Sequence, residues 1–400
     1  MYGLRLLGDP VVRRVGAAVV AVLAVLYRLI QVPATPTDHV GYDFRFYWTA
    51  ARQLLDGGSI YSAQQLAGPY PPQGQEGFLY PPPLAALVTP LAALFPTDPL
   101  PGLWIWSGLA ALVLVVTVLA LARTEDLGGR FPLLRGRWAW VLVGAAFALP
   151  PVVDELVNGN VHLFIAGLMA AAWIGLRRHD AAGDRAAGIA LGIATVVKLF
   201  PVLLLLWLVL RGRWRPVGWA VAGALGLAVL TLPVTGVQPW LDYPTVLANM
   251  AAPIDVSASL SPTVWLAPLL GFGLARVVVT AAVLAVLLWV SRRADERVGY
   301  AAAIVLALLA TPALWTHYLS ILVVPMLLAL AGGVPAAIVG LAYVLLSAGY
   351  QAALGDAVWI TIRLLPTLGM LVLLVALLRR TRVTTPPAPL RPMRRAETPA

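Results

Sequence analysis

The sequence predicts an all-α protein, a polytopic bundle of transmembrane helices. Of its 400 residues, 60% are hydrophobic and only 12% are charged, whereas soluble domains are about half apolar and about a quarter charged. The apolar residues form unbroken runs of Leu, Val and Ala. These runs approach or reach the length of about 20 residues that a helix needs to cross a bilayer. Strands of a membrane barrel would alternate apolar and polar residues instead.

About twelve spans follow from the positions of these runs. The predicted spans are residues 15–32, 101–122, 138–153, 161–176, 186–197, 199–210, 216–234, 276–291, 299–311, 318–331, 334–350 and 357–378. Residues 82–96, which contain Pro90, could be a further segment that dips into the membrane. We expect a single transmembrane domain over residues 1–380. A disordered basic, Pro-rich tail is expected over 381–400.

The arginines predict the orientation. If the amino terminus is cytoplasmic, most arginines fall in segments on the cytoplasmic side, as the positive-inside rule requires. We therefore expect a multi-pass plasma-membrane protein with both termini in the cytoplasm and long outer loops at about 33–100 and 235–275. The net charge of +10 then reflects contact with membrane lipids, and no nucleic-acid partner is expected.

Lys198 is the only lysine in the chain. Residues 186–210 could be one long helix, but Arg211, Arg213 and Arg215 reach the cytoplasmic side only if two short helices meet at Lys198. Such a broken pair is tolerated where it lines a cavity. An ionisable residue there is a functional candidate. The alternative is a lysine that extends its ammonium to the membrane surface.

The first outer loop begins with a predicted amphipathic helix at 44–56, closed by Gly57-Gly58. Its apolar residues recur at helical spacing, which is typical of a helix lying in the membrane interface. Asp43 stands at its start. It is either an N-cap, a position that aspartate favours, or a general base that faces a substrate at the lipid surface.

Several short motifs occur in a fixed order between about residues 38 and 330. They are Asp43-Phe44 with Tyr47, Ala50-Ala51, Leu55, Gly57-Gly58 and Ile60-Tyr61; Tyr80-Pro81-Pro82; Asn158-Gly159-Asn160; Lys198-Leu199-Phe200-Pro201; Ser259-Leu260; and Trp315-Thr316-His317-Tyr318. Together they resemble glycosyltransferase family 87, whose members have the GT-C fold and use polyprenyl-phosphate sugars.

The resemblance implies an enzyme that transfers a sugar from a polyprenyl-phosphate donor to a glycolipid or lipid-linked glycan acceptor on the outer face. Its best-known members are actinobacterial mannosyltransferases of the phosphatidylinositol mannoside type, which use polyprenol-phosphate-mannose, so mannose is expected. Other members transfer arabinofuranose, and that donor stays an alternative. A lipid or sugar transporter is a further alternative, although transporters often have two related halves and this chain has none evident. A non-catalytic scaffold for envelope synthesis is a third.

The resemblance also implies the roles of individual residues. Asp43 matches the catalytic base of the family. His317 could donate to a phosphate or position the acceptor hydroxyl, or it could be an ordinary polar residue at the membrane surface. Lys198 would bind the donor phosphate, with Arg276 or Arg363 as a second cation unless these arginines only anchor helix ends. The candidate substrate-binding residues are Tyr47, Tyr80, Asn160 and His162.

No metal or other cofactor is expected. The chain has no cysteine and no Asp-x-Asp motif of the kind that holds a metal–nucleotide complex. Asp154 and Glu155 are adjacent, and neighbours on a helix diverge, so the two do not form a metal-binding pair. A cluster of aromatic residues is expected to pack the first outer loop: Tyr61, Tyr70, Phe78, Tyr80 and Trp104.

Overall fold

The computed structural model describes residues 40–69, 77–250, 259–347 and 356–380, except for the side chains of Trp138 and of residues 356–363. The predicted first span, Tyr70 and the predicted tail lie outside these residues. Within them every regular element is a helix, which confirms the all-α class. The α-helices are α1 Tyr42–Leu55, α2 Ala63–Ala67, α3 Pro82–Leu94, α4 Leu100–Thr124, α5 Leu127–Arg130, α6 Trp140–Phe147, α7 Pro150–Asn158, α8 His162–Leu176, α9 Ala181–Val197, α10 Val202–Leu210, α11 Trp214–Thr235, α12 Gln238–Met250, α13 Pro262–Leu270, α14 Phe272–Arg293, α15 Glu296–Leu309, α16 Val323–Ala331, α17 Ala336–Ser347 and α18 Asp356–Arg380. Short 3-10 helices cover Pro132–Leu134, Gly136–Ala139 and Thr316–Leu322.

Among the described helices, α4, α11 and α14 are long and apolar enough to cross a membrane. Helices α6 and α7 meet at 68°, and together they would make a fourth span if the bent pair is taken as a single span. The count of twelve spans therefore stays a prediction. The predicted span at 138–153 is divided between α6 and α7, because the chain bends ahead of Pro150 and Pro151. These two prolines open α7, where their missing N–H groups cost no helical hydrogen bond.

Helix α15 lies in the core of the bundle. Nearly all of its residues are buried, as expected for a helix that is apolar all round. The hydroxyl of Tyr300 donates to the carbonyl oxygen of Met169 at 2.7 Å. The rings of Trp173 and Trp207 pack against Tyr300 on two sides. This core fixes α8 and α10 relative to each other.

Helices α9 and α11 run in the same direction. Asp184 near the start of α9 pairs with Arg213 just before α11, at 2.7 Å. Farther along both helices, a Cβ added at Gly192 would lie 2.0 Å from the carbonyl oxygen of Ala220. Because α9 and α11 are parallel, α10 must return between them. The structure thus resolves residues 186–210 as two helices that reverse at Lys198, rather than one.

The arginine-rich segments gather at one end of the bundle, called here the arginine end. Arg177 and Arg297 both approach the carboxylate of Glu125, at 3.5 and 2.7 Å. Arg213 also pairs with Glu296 in the same region. Helix α8 starts at His162 and ends beside Arg177, so its opposite end lies about 22 Å away. The predicted cytoplasmic segments that contain Glu125, Arg177, Arg213 and Arg297 are therefore neighbours in space.

Helix α1 confirms the predicted helix of the first outer loop and ends ahead of Gly57, whose φ is 74°. Two details differ from expectation. The N-cap is Gly41, so Asp43 is a first-turn residue and not the cap. The apolar face of α1, with Phe44 and Tyr47 fully buried, packs against α3 inside the protein. Amphipathic spacing reveals an apolar face but does not say whether lipid or protein covers it.

Candidate active site

The predicted site residues converge at the end of the bundle opposite the arginine end. They come from α1, the loop before α3, the turn between α7 and α8, the break between α9 and α10, and the 3-10 helix Thr316–Leu322. The bend before α7 does most to bring these residues together. Helix α7 packs against this 3-10 helix, and its last turn leads into the first residue of α8. Residues far apart in the chain thereby line one polar site.

Lys198 lies in the middle of this site and is 9% exposed. Its Nζ atom is 2.8 Å from Nε2 of His162 and 3.3 Å from the hydroxyl oxygen of Tyr80. Nζ also lies 3.9 Å from the ring centroid of Tyr318, within the range of cation–π attraction. A lysine enclosed by these partners does not extend to the membrane surface.

Glu155 holds the other side of His162. Its Oε2 atom is 2.9 Å from Nδ1 of His162. Its Oε1 atom accepts the backbone N–H groups of His162 and Leu163. Both side chains are fully buried. The first N–H groups of α8, which have no partner within the helix, thus bind a carboxylate that also reaches the imidazole ring.

Asn160 is fixed in orientation by its two donors. Its Oδ1 accepts the hydroxyl of Tyr47 at 2.9 Å and the backbone N–H of Val161 at 2.7 Å. A backbone N–H can only donate, so the accepting atom is the amide oxygen. The Nδ2 atom of this buried side chain has no hydrogen-bond partner among the described residues. Gly159, with φ at 67°, makes the turn that places Asn160 here.

Asp43 is half-buried and stands four residues before Tyr47, on the same face of α1. Burial and then the negative charge of Asp43 raise the pKa of Tyr80. The charge of Asp43 also acts on Lys198. In the described part of the chain, no hydrogen bond or ion pair occupies the Asp43 carboxylate. It is therefore a carboxylate near the site whose oxygens the described residues leave open.

His317 lies beside His162, with ring centroids 5.2 Å apart. Its Nδ1 atom is 3.7 Å from Oδ2 of Asp154, whose other oxygen accepts from Asn158. Asp154 and Glu155 thus serve two different histidines, which confirms that these adjacent carboxylates diverge. In the described ranges, no group of three or more His, Asp or Glu side chains is placed to hold a metal ion.

Two predicted residues are not brought to this cluster. Arg276 is exposed on α14, and no hydrogen bond or ion pair joins it to another described residue. The side chain of Arg363 lies outside the described ones. The expected loop packing is correct for Tyr61, whose hydroxyl donates to the carbonyl oxygen of Tyr80 at 2.7 Å. It is wrong for Trp104, which is 58% exposed.

Sequence reasoning missed two residues of this cluster. For Glu155 the sequence predicts only that it diverges from Asp154 and forms no metal-binding pair with it, and Tyr318 appears only as part of a motif. For Glu155 the available signal was its position just before Asn158-Gly159-Asn160 and His162, at the end of a short helix opened by two prolines. No comparable signal in the sequence pointed to a cation–π role for Tyr318.

A buried cation and an available carboxylate at one end of an apolar helical bundle fit a membrane enzyme that acts on an anionic substrate. The sequence model of glycosyltransferase family 87 matches residues 78–313, more than half of the chain. The chain therefore belongs to glycosyltransferase family 87, a membrane glycosyltransferase as its motifs predicted. No curated protein and no solved structure matches it. The matched region contains Tyr80, Asn160, His162 and Lys198, but it begins after Asp43 and ends before His317.

Proposed function

We propose that the chain is an inverting glycosyltransferase that moves a sugar, mannose in the first instance, from a polyprenyl phosphate to a glycolipid acceptor. The observation that carries this proposal is that a buried lysine and a half-buried aspartate lie at one site. The lysine suits a phosphate, and the aspartate suits an acceptor hydroxyl. A transporter would need neither a base nor its alignment with a leaving group.

Lys198 would bind the donor phosphate. An ammonium has three N–H donors, of which two are occupied by His162 and Tyr80. The third is left for a phosphate oxygen, where a charge-assisted hydrogen bond is strong. Arg276 and Arg363 are the proposed second cations, because polyprenyl phosphate leaves with more than one negative charge.

Asp43 would act as the general base. It takes the proton of an acceptor hydroxyl as that oxygen attacks the anomeric carbon, and the bond from this carbon to the phosphate oxygen breaks. His317 positions the acceptor or donates to the departing phosphate. A single displacement inverts the configuration, so a β-linked donor yields an α-glycoside. The reaction requires no cofactor, because polyprenyl phosphate is itself the leaving group.

The sugar would be bound by Tyr47, Tyr80 and Asn160, whereas both ring nitrogens of the expected fourth residue, His162, are occupied by Glu155 and Lys198. The unpartnered Nδ2 of Asn160 is a donor in a buried place, and buried donors are normally paired. A sugar hydroxyl or a phosphate oxygen is a suitable acceptor for it. The partly exposed ring of Tyr80 packs edge-to-face on the buried ring of Tyr47, with centroids 5.0 Å apart, and it is the ring that would pack against sugar carbons.

The proposed location is the plasma membrane, with the site on the outer face and both termini in the cytoplasm. The separation of the site from the arginine end supports this orientation. Because the chain has no cysteine, single cysteines report topology without background. With Asp56→Cys, a membrane-impermeant maleimide should label intact cells. With Arg178→Cys at the arginine end, labelling should require permeabilised cells, and the reverse pattern would contradict the orientation.

The activity is tested with purified protein, radiolabelled polyprenol-phosphate-mannose and a membrane lipid extract, without any gradient. Wild type should move label into a glycolipid, which a transporter would not do. Asp43→Asn should lower the rate roughly 100-fold or more, the range of general-base contributions. Asp56→Asn is the matched control on the same helix, because Asp56 is 64% exposed, and it should retain full rate.

The outcomes separate the parts of the proposal. Full activity of a folded Asp43→Asn protein would show that Asp43 is not the base. If wild type ignores the mannose donor, the polyprenyl-phosphate arabinofuranose donor is assayed next, and transfer from it would correct the sugar. Transfer from neither donor would contradict the proposed donor class.

A further inference from the structure

Glu155 is a buried carboxylate that the reaction proposed above does not use. It is 1% exposed, and its hydrogen-bond donors are the backbone N–H groups of His162 and Leu163 and the ring of His162. Burying a charged group is costly unless its partners are well arranged. Two of these three hydrogen bonds, including the one from a side chain, come from His162, which indicates that its role is exerted on that residue.

With Lys198 in its ammonium form, the hydrogen bonds along this line assign one position to the imidazole proton. An ammonium can donate but cannot accept, so in this form Nε2 of His162 accepts from Lys198 across their 2.8 Å contact. A neutral imidazole has one donor and one acceptor nitrogen. The proton is therefore on Nδ1, where the Oε2 atom of Glu155 accepts it at 2.9 Å.

The surroundings of Lys198 explain why such support is needed. Burial disfavours the ammonium form of Lys198, whereas the negative charges of Asp43 and Glu155 favour it. Its four-carbon side chain is flexible and approaches the site from a break between two helices. Without an acceptor at Nε2, the ammonium would be free to turn away from the position that leaves one N–H group available.

We propose that Glu155 and His162 act as a positioning pair that holds the Lys198 ammonium ready for the donor phosphate. Glu155 touches neither substrate and acts through the imidazole, whose tautomer and ring orientation it fixes. Carboxylates support histidine ligands of metals in the same way. The inference rests on the proposed function in one respect only, namely that Lys198 binds the phosphate of the donor.

Steady-state kinetics test the functional part. Glu155→Gln should raise the KM for the donor about 10- to 100-fold, the usual effect of removing such support, and leave the KM for the acceptor unchanged. Added to Lys198→Met, the same substitution should change donor KM by less than about twofold, because pairs that act as a unit are non-additive. The positioning role would be overturned if the double variant raised the donor KM by the product of the two separate effects. It would also be overturned if Glu155→Gln raised the acceptor KM as much as the donor KM.

The tautomer tests the structural part without relying on transfer or on the variants used for kinetics. The chain has four histidines, so ¹⁵N-imidazole labelling gives few signals, and His162→Gln identifies those of His162. The wild-type protein should show a protonated Nδ1 and an unprotonated Nε2 at His162. The opposite tautomer would overturn the proposal even if the enzyme is active. The expected tautomer in a wild type that transfers no sugar would instead place the error in the proposed function.

Discussion

The Nζ atom of Lys198 lies 2.8 Å from Nε2 of His162, although the two residues are 36 positions apart in the chain. The contact exists because α9 stops at Val197 and the chain reverses, which delivers the lysine to the first residue of α8. Neither helix would bring its side chain to the other if residues 181–210 continued straight. The broken helix pair is thus the structural basis of the cation site.

Lys198→Met should weaken donor binding, because methionine keeps the length of the side chain and removes the ammonium. A hydrogen bond to a charged group contributes about 1.5–3 kcal/mol, which corresponds to roughly 10- to 100-fold in the KM for the donor. Arg52→Met is the control. It removes a cation from an exposed ion pair with Asp56, where little is expected. An unchanged donor KM for Lys198→Met would exclude this lysine from phosphate binding.

Tyr47 should show separable contributions from its ring and its hydroxyl. Tyr47→Phe removes the hydroxyl and its hydrogen bond to Asn160, whose Oδ1 keeps the N–H of Val161. The expected loss of stability is about 0.5–1.5 kcal/mol. Tyr47→Ala empties a fully buried site and should cost about 3–5 kcal/mol. Thermal unfolding in detergent measures both, and equal losses would contradict this division.

Gly192 should be required for the close approach of α9 and α11. A larger side chain there would meet the backbone of Ala220, and small residues commonly permit such contacts between membrane helices. Gly192→Leu should lower stability by about 1–3 kcal/mol or more and reduce transfer, because the Lys198 turn moves with the end of α9.

The matched control for Gly192 is Gly218→Leu on α11. A Cβ at Gly218 meets no atom within 4 Å, so the leucine should leave both stability and transfer nearly unchanged. Both variants are compared by unfolding temperature and by donor KM. Equal behaviour of the two would show that close α9–α11 packing is not what places Lys198.

Glu125 should matter for stability rather than for catalysis. Its carboxylate is fully buried at the arginine end, where it meets Arg177 and Arg297 and accepts the indole N–H of Trp173 at 2.7 Å. Breaking a buried ion pair costs about 3–5 kcal/mol, so Glu125→Gln should lower the unfolding temperature. The KM values of the protein that remains folded should match wild type, and a selective change in donor KM would contradict this assignment.

The helical class, the end of α1 at Gly57 and the reversal at Lys198 could all be predicted from the sequence. Apolar runs indicate membrane helices, a glycine pair marks the end of a helix, and the side on which the arginines should lie requires the chain to reverse at Lys198. The partners of Glu155 could not be predicted, because adjacent residues on a helix point in different directions and the sequence does not say which faces the interior. The proline pair is a sequence signal for the bend before Pro150 and Pro151, but the apolar run around it indicates a single span.

The single lysine of the chain gives the site a chemical property that no other part of the protein has. Apart from the amino terminus, Lys198 carries the only primary amine, and this amine is enclosed by Tyr80, Tyr318 and His162. Small amine-selective reagents would therefore modify either the terminus or this site, and their rate at Lys198 would report how often the enclosure opens. A bound phosphate would shield the same nitrogen, so the rate of modification of Lys198 would also report whether the donor phosphate occupies the site.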